Sequence, residues 1–237
     1  DFHNGGLKRM STIAGNIAQV EARIRAAALA VQRDVTSIHL LAVSKTKPAA
    51  ALREAYAAGV RDFGENYLQE ARAKQVELAD LPLCWHFIGP IQSNKTRDIA
   101  EHFAWVHSVD RLKIAQRLSD QRPADLPPLN ICIQVNVSGE ASKSGCNPAD
   151  LPALAAAISG LPRLKLRGLM AIPEPTEDRA EQDAAFATVR TLQESLNMGL
   201  DTLSMGMSHD LESAIAQGAT WVRIGTALFG ARDYGQA

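Results

Sequence analysis

Eight short apolar runs, each followed by a polar or amphipathic stretch, limit what this chain can fold into more than any other feature. They are HLLAVSK (39–45), RDFGEN (61–66), CWHFIGP (84–90), AWVHSVD (104–110), NICIQVNV (130–137), LRGLMAI (166–172), TLSMGMS (202–208) and WVRIGTALFG (221–230). Short continuous apolar runs are the pattern of strands buried on both faces, as in a parallel sheet. Between them, PAAALREAYAAG (48–59), RLKIAQRLSD (111–120), PADLPALAAAISG (148–160) and DRAEQDAAFATVRTLQESL (178–196) carry helical spacing. Gly59, Gly160, Gly199 and Gly218 fall just after such stretches, where helix C-termini favour glycine. Eightfold strand–helix alternation, with no linker rich in Pro, Gly or Ser, predicts one (β/α)8 TIM barrel, and 237 residues suit it. An open doubly wound sheet is the competing architecture. Upstream, Ile13, Ile17, Val20, Ile24, Ala27 and Ala28 predict an extra N-terminal helix over 11–33 with Ser11 as its cap. Residues 1–10 are polar and patternless and read as a disordered extension or expression remnant, leaving 11–237 as a single domain.

Charge and cysteine usage narrow the ligand class. The 25 Lys and Arg nearly balance the 26 Asp and Glu, so no global field points to nucleic acid or an anionic membrane. Cys84, Cys132 and Cys146 lack a metal-ligand spacing and are odd in number, against a zinc site or a disulfide framework. No apolar run approaches the length of a membrane helix and no leader pattern is present, so the expected setting is the cytoplasm and the expected ligand a small molecule.

On a barrel, chemistry gathers at the C-terminal ends of the strands. Those ends are Lys45, Asn66, Gly89 and Pro90, Asp110, Asn136, Met170 to Ile172, Ser208, and Arg223 to Thr226. Lys45 has two readings: a solvated rim lysine, or a partly desolvated amine that attacks a carbonyl to form a Schiff base. Ser208 precedes an amphipathic helix and is either its N-cap or a phosphate ligand. Gly225 and Thr226 end the eighth run, and barrels often bind phosphate in the loops after strands seven and eight. Arg223 suits either an ion pair or a hydrogen bond to a heteroaromatic nitrogen. Asn66 suits either a capping box completed by Gln69 or a ligand contact. His86 and His107 read as barrel-interior packing or hydrogen bonding. A lysine opposite a phosphate cradle, with a cation for a ring nitrogen, is the inventory for pyridoxal 5′-phosphate (PLP).

The motifs AVSKTKP, FGENYLQE, WHFIGPIQSNK, NVSGEASKSG, GLMAI, LSMGMSHDLESAI and VRIGTALFGAR, in this order from about Ser11 to Arg232, resemble those of the pyridoxal phosphate homeostasis proteins. That family binds PLP on a barrel like the N-terminal domain of alanine racemase. The resemblance implies that Lys45 carries the Schiff base and Arg223 faces the pyridine nitrogen. It also implies that Ser208, Gly225 and Thr226 hold the phosphate and that Met207 and Asn66 line the site. Lys143 falls in a loop near the mouth and reads as a solvated lysine. No catalytic residue and no metal ligand is expected.

The implied function is intracellular PLP homeostasis: a monomeric carrier or buffer, in transient contact with apo-PLP enzymes, rather than an enzyme. An arginine at the ring nitrogen makes a weaker electron sink than an aspartate would. Two-base racemisation needs a second base from an added domain, none is expected before Ala237, and Tyr56, Tyr67 and Tyr234 are not obviously placed for the task. The alternatives are a single-domain PLP-dependent racemase and a cofactor-free Schiff-base aldolase or lyase acting on a sugar phosphate.

Overall fold

A computed structural model describes residues 12–138 and 144–230. The extension over 1–10, Ser11, Lys143 and Tyr234 lie outside the described residues. Eight strands, β1 (His39–Val43), β2 (Asp62–Glu65), β3 (Cys84–Phe87), β4 (Trp105–Val109), β5 (Leu129–Gln134), β6 (Leu164–Met170), β7 (Thr202–Ser204) and β8 (Trp221–Ile224), form one closed barrel in sequence order. Every neighbouring pair is parallel, and the barrel closes where His39 to Ala42 of β1 pair with Trp221 to Ile224 of β8. The expected (β/α)8 barrel is the fold, and the open sheet is excluded.

Nine α-helices are described: α1 (Ile13–Ala30), α2 (Ala49–Ala57), α3 (Leu68–Glu77), α4 (Thr96–His102), α5 (Leu112–Gln121), α6 (Leu151–Ser159), α7 (Arg179–Leu196), α8 (Leu211–Ala216) and α9 (Thr226–Phe229). The extra helix α1 buries the predicted stripe, Ile13, Ile17, Val20, Ile24, Ala27 and Ala28, against α2, α8 and α9, and so covers the β8–β1 closure. Its cap is Thr12, whose side chain accepts from the Gly15 amide 3.0 Å away. The run 221–230 is a strand only as far as Ile224; TALF continues as the short α9. Apolar runs of this length do not distinguish strand from buried helix. Likewise β7 stops at Ser204, four residues short of Ser208, and α7 ends on Asn197 in the left-handed conformation rather than at Gly199.

Strand alternation sorts the side chains into two cores. Leu40, Ala42, Phe63, Phe87, Val106, Ile131, Ile133, Leu169, Val222 and Ile224 point outward and pack under the helices. Leu41, Ile88, Trp105, Cys132, Met170 and Trp221 point inward and form a smaller cluster that fills the barrel. The same inward positions carry the buried polar groups His86, His107, Ser204 and Arg223. The barrel is thus packed and polar within, and its opening lies at the C-terminal ends of the strands.

Candidate functional site

Lys45 lies two residues beyond the end of β1, in a turn whose next residue, Thr46, takes φ of 65°. The side chain is exposed, not partly desolvated, and its amine makes no hydrogen bond or ion pair among the described residues. The turn beneath it is clamped. Lys74 of α3 is buried and spends its ammonium on three acceptors: the Ser44 carbonyl at 2.7 Å, Glu65 Oε2 at 2.9 Å and Glu70 Oε2 at 2.6 Å. Glu70 Oε2 also accepts from the Thr46 amide at 2.6 Å, and the Ser44 hydroxyl donates to Glu65 Oε2 at 2.5 Å. Glu65 is fully buried, and burial pushes its carboxyl above the usual range, with Lys74 and Ser44 pulling only part of the way back. The positive φ at a threonine is held because the groups on either side of it are fixed. No local residue pattern points to this clamp, since its members come from the end of β2, from α3 and from the turn.

Arg223, on the inward face of β8, is 4% exposed. Its Nη1 donates to Ser204 Oγ at 2.8 Å and its Nη2 to the Ala171 carbonyl at 3.0 Å, so the guanidinium spans from β8 across β7 to the end of β6. Nε donates to no described atom. Burial lowers the guanidinium to about 10, which leaves it cationic at neutral pH. Among the described residues no ion pair holds it. The floor of the mouth is therefore a fixed cation whose Nε–H is unspent.

Met207 and Ser208, both half-buried, lie in the loop from β7 to α8. Ser208 is not the cap of α8; that position is Asp210, whose Oδ1 instead accepts from the Met207 amide at 2.6 Å. Gly206 makes this loop possible: its φ is +105°, and a Cβ there would meet the Ala214 Cβ at 2.6 Å. From outside the barrel, Arg23 of α1 forks onto Glu212 and also donates to the Ser208 carbonyl at 2.8 Å. Gly225 caps β8 against β1, where an added Cβ would lie 3.3 Å from both the Cβ and the carbonyl oxygen of Val43. Thr226 opens α9, so its amide and that of Ala227 have no acceptor within the helix. The hydroxyls of Ser208 and Thr226 make no hydrogen bond among the described residues. Lys45, Ser208, Gly225 and Thr226 therefore rim one side of the mouth, over β7, β8 and β1, with Arg223 below.

Asn66 follows β2, and the expected capping box with Gln69 does not form: Tyr67 is the cap of α3 and makes no side-chain cap bond. The Asn66 Oδ1 is buried without a hydrogen-bond partner among the described residues. Asn66 lines a cavity of about 420 Å3 over β2 to β6, together with Ser108, Asp110, Gln134, Asn136 and Ile172. This cavity lies beside the Lys45–Thr226 rim, sharing only Asn66 with the residues expected to hold the cofactor. The mouth thus has a cationic, hydroxyl-lined half and an open, polar half.

The sequence profile of the alanine racemase N-terminal domain matches residues 16–233. The pyridoxal phosphate homeostasis protein of Pseudomonas aeruginosa is 79% identical over 226 residues, spanning 95% of this chain and 98% of its own length. That of Escherichia coli K12 is 57% identical over 235 residues, with 95% and 99% covered. Among solved structures, PipY of Synechococcus elongatus, 45% identical, superposes with a TM-score of 0.82 without PLP and 0.81 with PLP bound, covering 92% of this chain and all of PipY. Alanine racemase from Corynebacterium glutamicum shares the fold alone, at 17% identity and a TM-score of 0.66, and the likeness spans 61% of that longer chain. With a closed barrel of this topology and relatives this similar along nearly their whole length, the chain belongs to the family of pyridoxal phosphate homeostasis proteins.

Proposed function

We propose that the chain binds PLP at the barrel mouth and serves intracellular PLP homeostasis by holding the cofactor and releasing it. The observation that carries this reading is Arg223: a buried guanidinium with two nitrogens spent on protein acceptors and Nε unspent, below a rim that offers a primary amine and two unpaired hydroxyls. This donor set fits a phosphorylated pyridine aldehyde. Arg223 Nε faces the ring nitrogen, Ser208, Gly225 and Thr226 receive the phosphate, Lys45 supplies the amine, and Met207 and Asn66 line the ring. When bound, the cofactor supplies an aldehyde carbon open to a primary amine.

Arg223 stays protonated and donates a hydrogen bond without giving up its proton, which weakens the electron withdrawal that carbanion chemistry needs. The exposed Lys45 suits exchange with amines from solution better than committed proton transfer. Of the described tyrosines, Tyr56 lies in α2 with the Arg61 guanidinium 4.0 Å over its ring, and Tyr67 is 53% exposed before α3. Neither is placed as a second base opposite Lys45, and no observation favours the racemase or sugar-phosphate readings.

The three described cysteines are free thiols, which suits a reducing cytoplasm, and no described helix is long and apolar enough to cross a membrane. The large exposed apolar side chains fall in small groups, Leu29 and Val31 at the end of α1 with Val35 just beyond, Tyr67 and Val76 at the two ends of α3, and Leu126, Ile172 and Met198 singly, which suits a monomer that meets apo-PLP enzymes only transiently. The test is to load the protein with PLP and mix it with an apo-PLP enzyme. Recovery of activity faster than spontaneous release of cofactor supports a hand-over role. Failure of the protein to bind PLP at all defeats the proposal.

A further inference from the structure

Behind Arg223 a continuous line of hydrogen bonds runs down the inside of the barrel. Ser204 Oγ lies 2.8 Å from Arg223 Nη1 and 2.7 Å from His107 Nδ1. His107 Nε2 lies 2.9 Å from His86 Nδ1, and His86 Nε2 lies 2.9 Å from Asp62 Oδ1. Both imidazoles and Ser204 are completely buried, with His86 stacked on Trp105 at 5.4 Å and tilted against Trp221 at 4.7 Å. Asp62 is the first residue of β2, at the far end of the barrel, and its side chain is 29% exposed.

We propose that Asp62, His86, His107 and Ser204 form a one-way relay that locks the Arg223 guanidinium and holds its unspent Nε–H toward the mouth. The direction follows from the two ends. Arginine only donates and a carboxylate only accepts. Ser204 therefore accepts from Arg223 and has one proton left, which goes to His107 Nδ1. His107 must then carry its proton on Nε2 and donate to His86 Nδ1, and His86 must carry its own on Nε2 and donate to Asp62. Any reversed link leaves the Ser204 hydroxyl without an acceptor or turns a bare ring nitrogen toward the Asp62 carboxylate. Burial also lowers both histidines, and Arg223 lowers His107 further, so the neutral rings that the geometry requires are the ones the surroundings favour. Breaking any link leaves a buried polar atom unpaired and lets the guanidinium turn. Asp62, Ser204 and both histidines are positioning residues for Arg223. Their effect on cofactor binding rests on the reading of Arg223 given above; the relay itself does not.

Long-range proton–nitrogen NMR on cofactor-free protein labelled at histidine tests the relay directly. Both His86 and His107 are expected neutral at pH about 7 with the proton on Nε2. A proton on Nδ1 of either ring, or a charged ring, overturns the relay. Ser204→Ala then probes its effect. The His107 Nδ1 resonance moves to that of an unbonded ring nitrogen, PLP affinity falls about tenfold, and affinity for inorganic phosphate is unchanged. Asp62→Asn keeps an acceptor oxygen at a partly exposed position and preserves both tautomers; altered tautomers there contradict the assignment. If wild-type protein shows the tautomers and fails to bind PLP, the functional reading falls and the relay stands. If wild-type binds PLP and Ser204→Ala binds it as tightly, the positioning role is overturned.

Discussion

Replacing Lys74 with methionine tests whether the turn carrying Lys45 is held by a buried charge cluster. The ammonium has three acceptors within 2.9 Å, and the variant leaves the Ser44 carbonyl and two carboxylates without it. Lys74 is 7% exposed at its side chain and Glu65 not at all, so solvent cannot replace the lost partner at Glu65. Removing one member of a buried ion pair costs about 3–5 kcal/mol. For a chain of this size each kcal/mol moves Tm by about 2–4 °C, so the expected fall is about 6–20 °C.

The loss has a predictable pH dependence. Glu65 already titrates above the ordinary 4.5 because of burial, and without Lys74 it moves higher. A carboxyl raised in the folded state contributes stability below its unfolded pKa and loses it as pH rises through the folded value. The wild-type-to-variant gap is therefore small near about pH 4.5 and wide near about pH 8, read by thermal melts at both. Glu65→Gln in the same chain recovers part of the loss, because the uncompensated charge is gone. A Tm unchanged by Lys74→Met, or a gap of equal size at both pH values, refutes the reasoning.

Three further outcomes follow from particular contacts. Arg23→Ala removes a half-exposed fork to Glu212 worth only about 0.2–1 kcal/mol, so Tm barely moves. It also frees the Ser208 carbonyl, so calorimetry is expected to show weaker PLP binding at nearly constant stability. Gly206→Ala forces an L side chain into φ of +105° and against Ala214, and is expected to cost about 1–3 kcal/mol by denaturant melt, with PLP affinity falling alongside. Burial pushes Cys84 and Cys132 up to about 12 and Cys146 up to about 11. Iodoacetamide at about pH 8 is therefore expected to leave all three unmodified in native protein and to label all three after unfolding, as read by mass spectrometry.

The barrel was legible because each apolar run is short, continuous and followed by helical spacing, a pattern that few architectures other than a parallel closed sheet satisfy. Lys45, Asn66, Ser208, Arg223, Gly225 and Thr226 could be placed at the mouth for the same reason: they end strands or follow them. What escaped were contacts between residues far apart in sequence. Glu65 reads as one more strand residue and Lys74 as one more helix-face lysine until α3 is laid beside β1. Ser204 and Asp62 look unremarkable in sequence, and only barrel closure aligns them with His86, His107 and Arg223. Ser208 and Asn66 are each open in sequence between a cap and a ligand contact; neither is a cap, because several adjacent residues in each loop can cap and the tertiary path of the loop selects Asp210 and Tyr67.

Binding as proposed brings one amine at the mouth, that of Lys45, to the cofactor aldehyde. Incubating the protein with PLP, reducing with borohydride and mapping peptides by mass spectrometry tests it directly. The expected result is a stable adduct on Lys45, abolished in Lys45→Ala with the fold intact. An adduct placed instead on Lys47, Lys74 or Lys95, or an unchanged yield in Lys45→Ala, contradicts it.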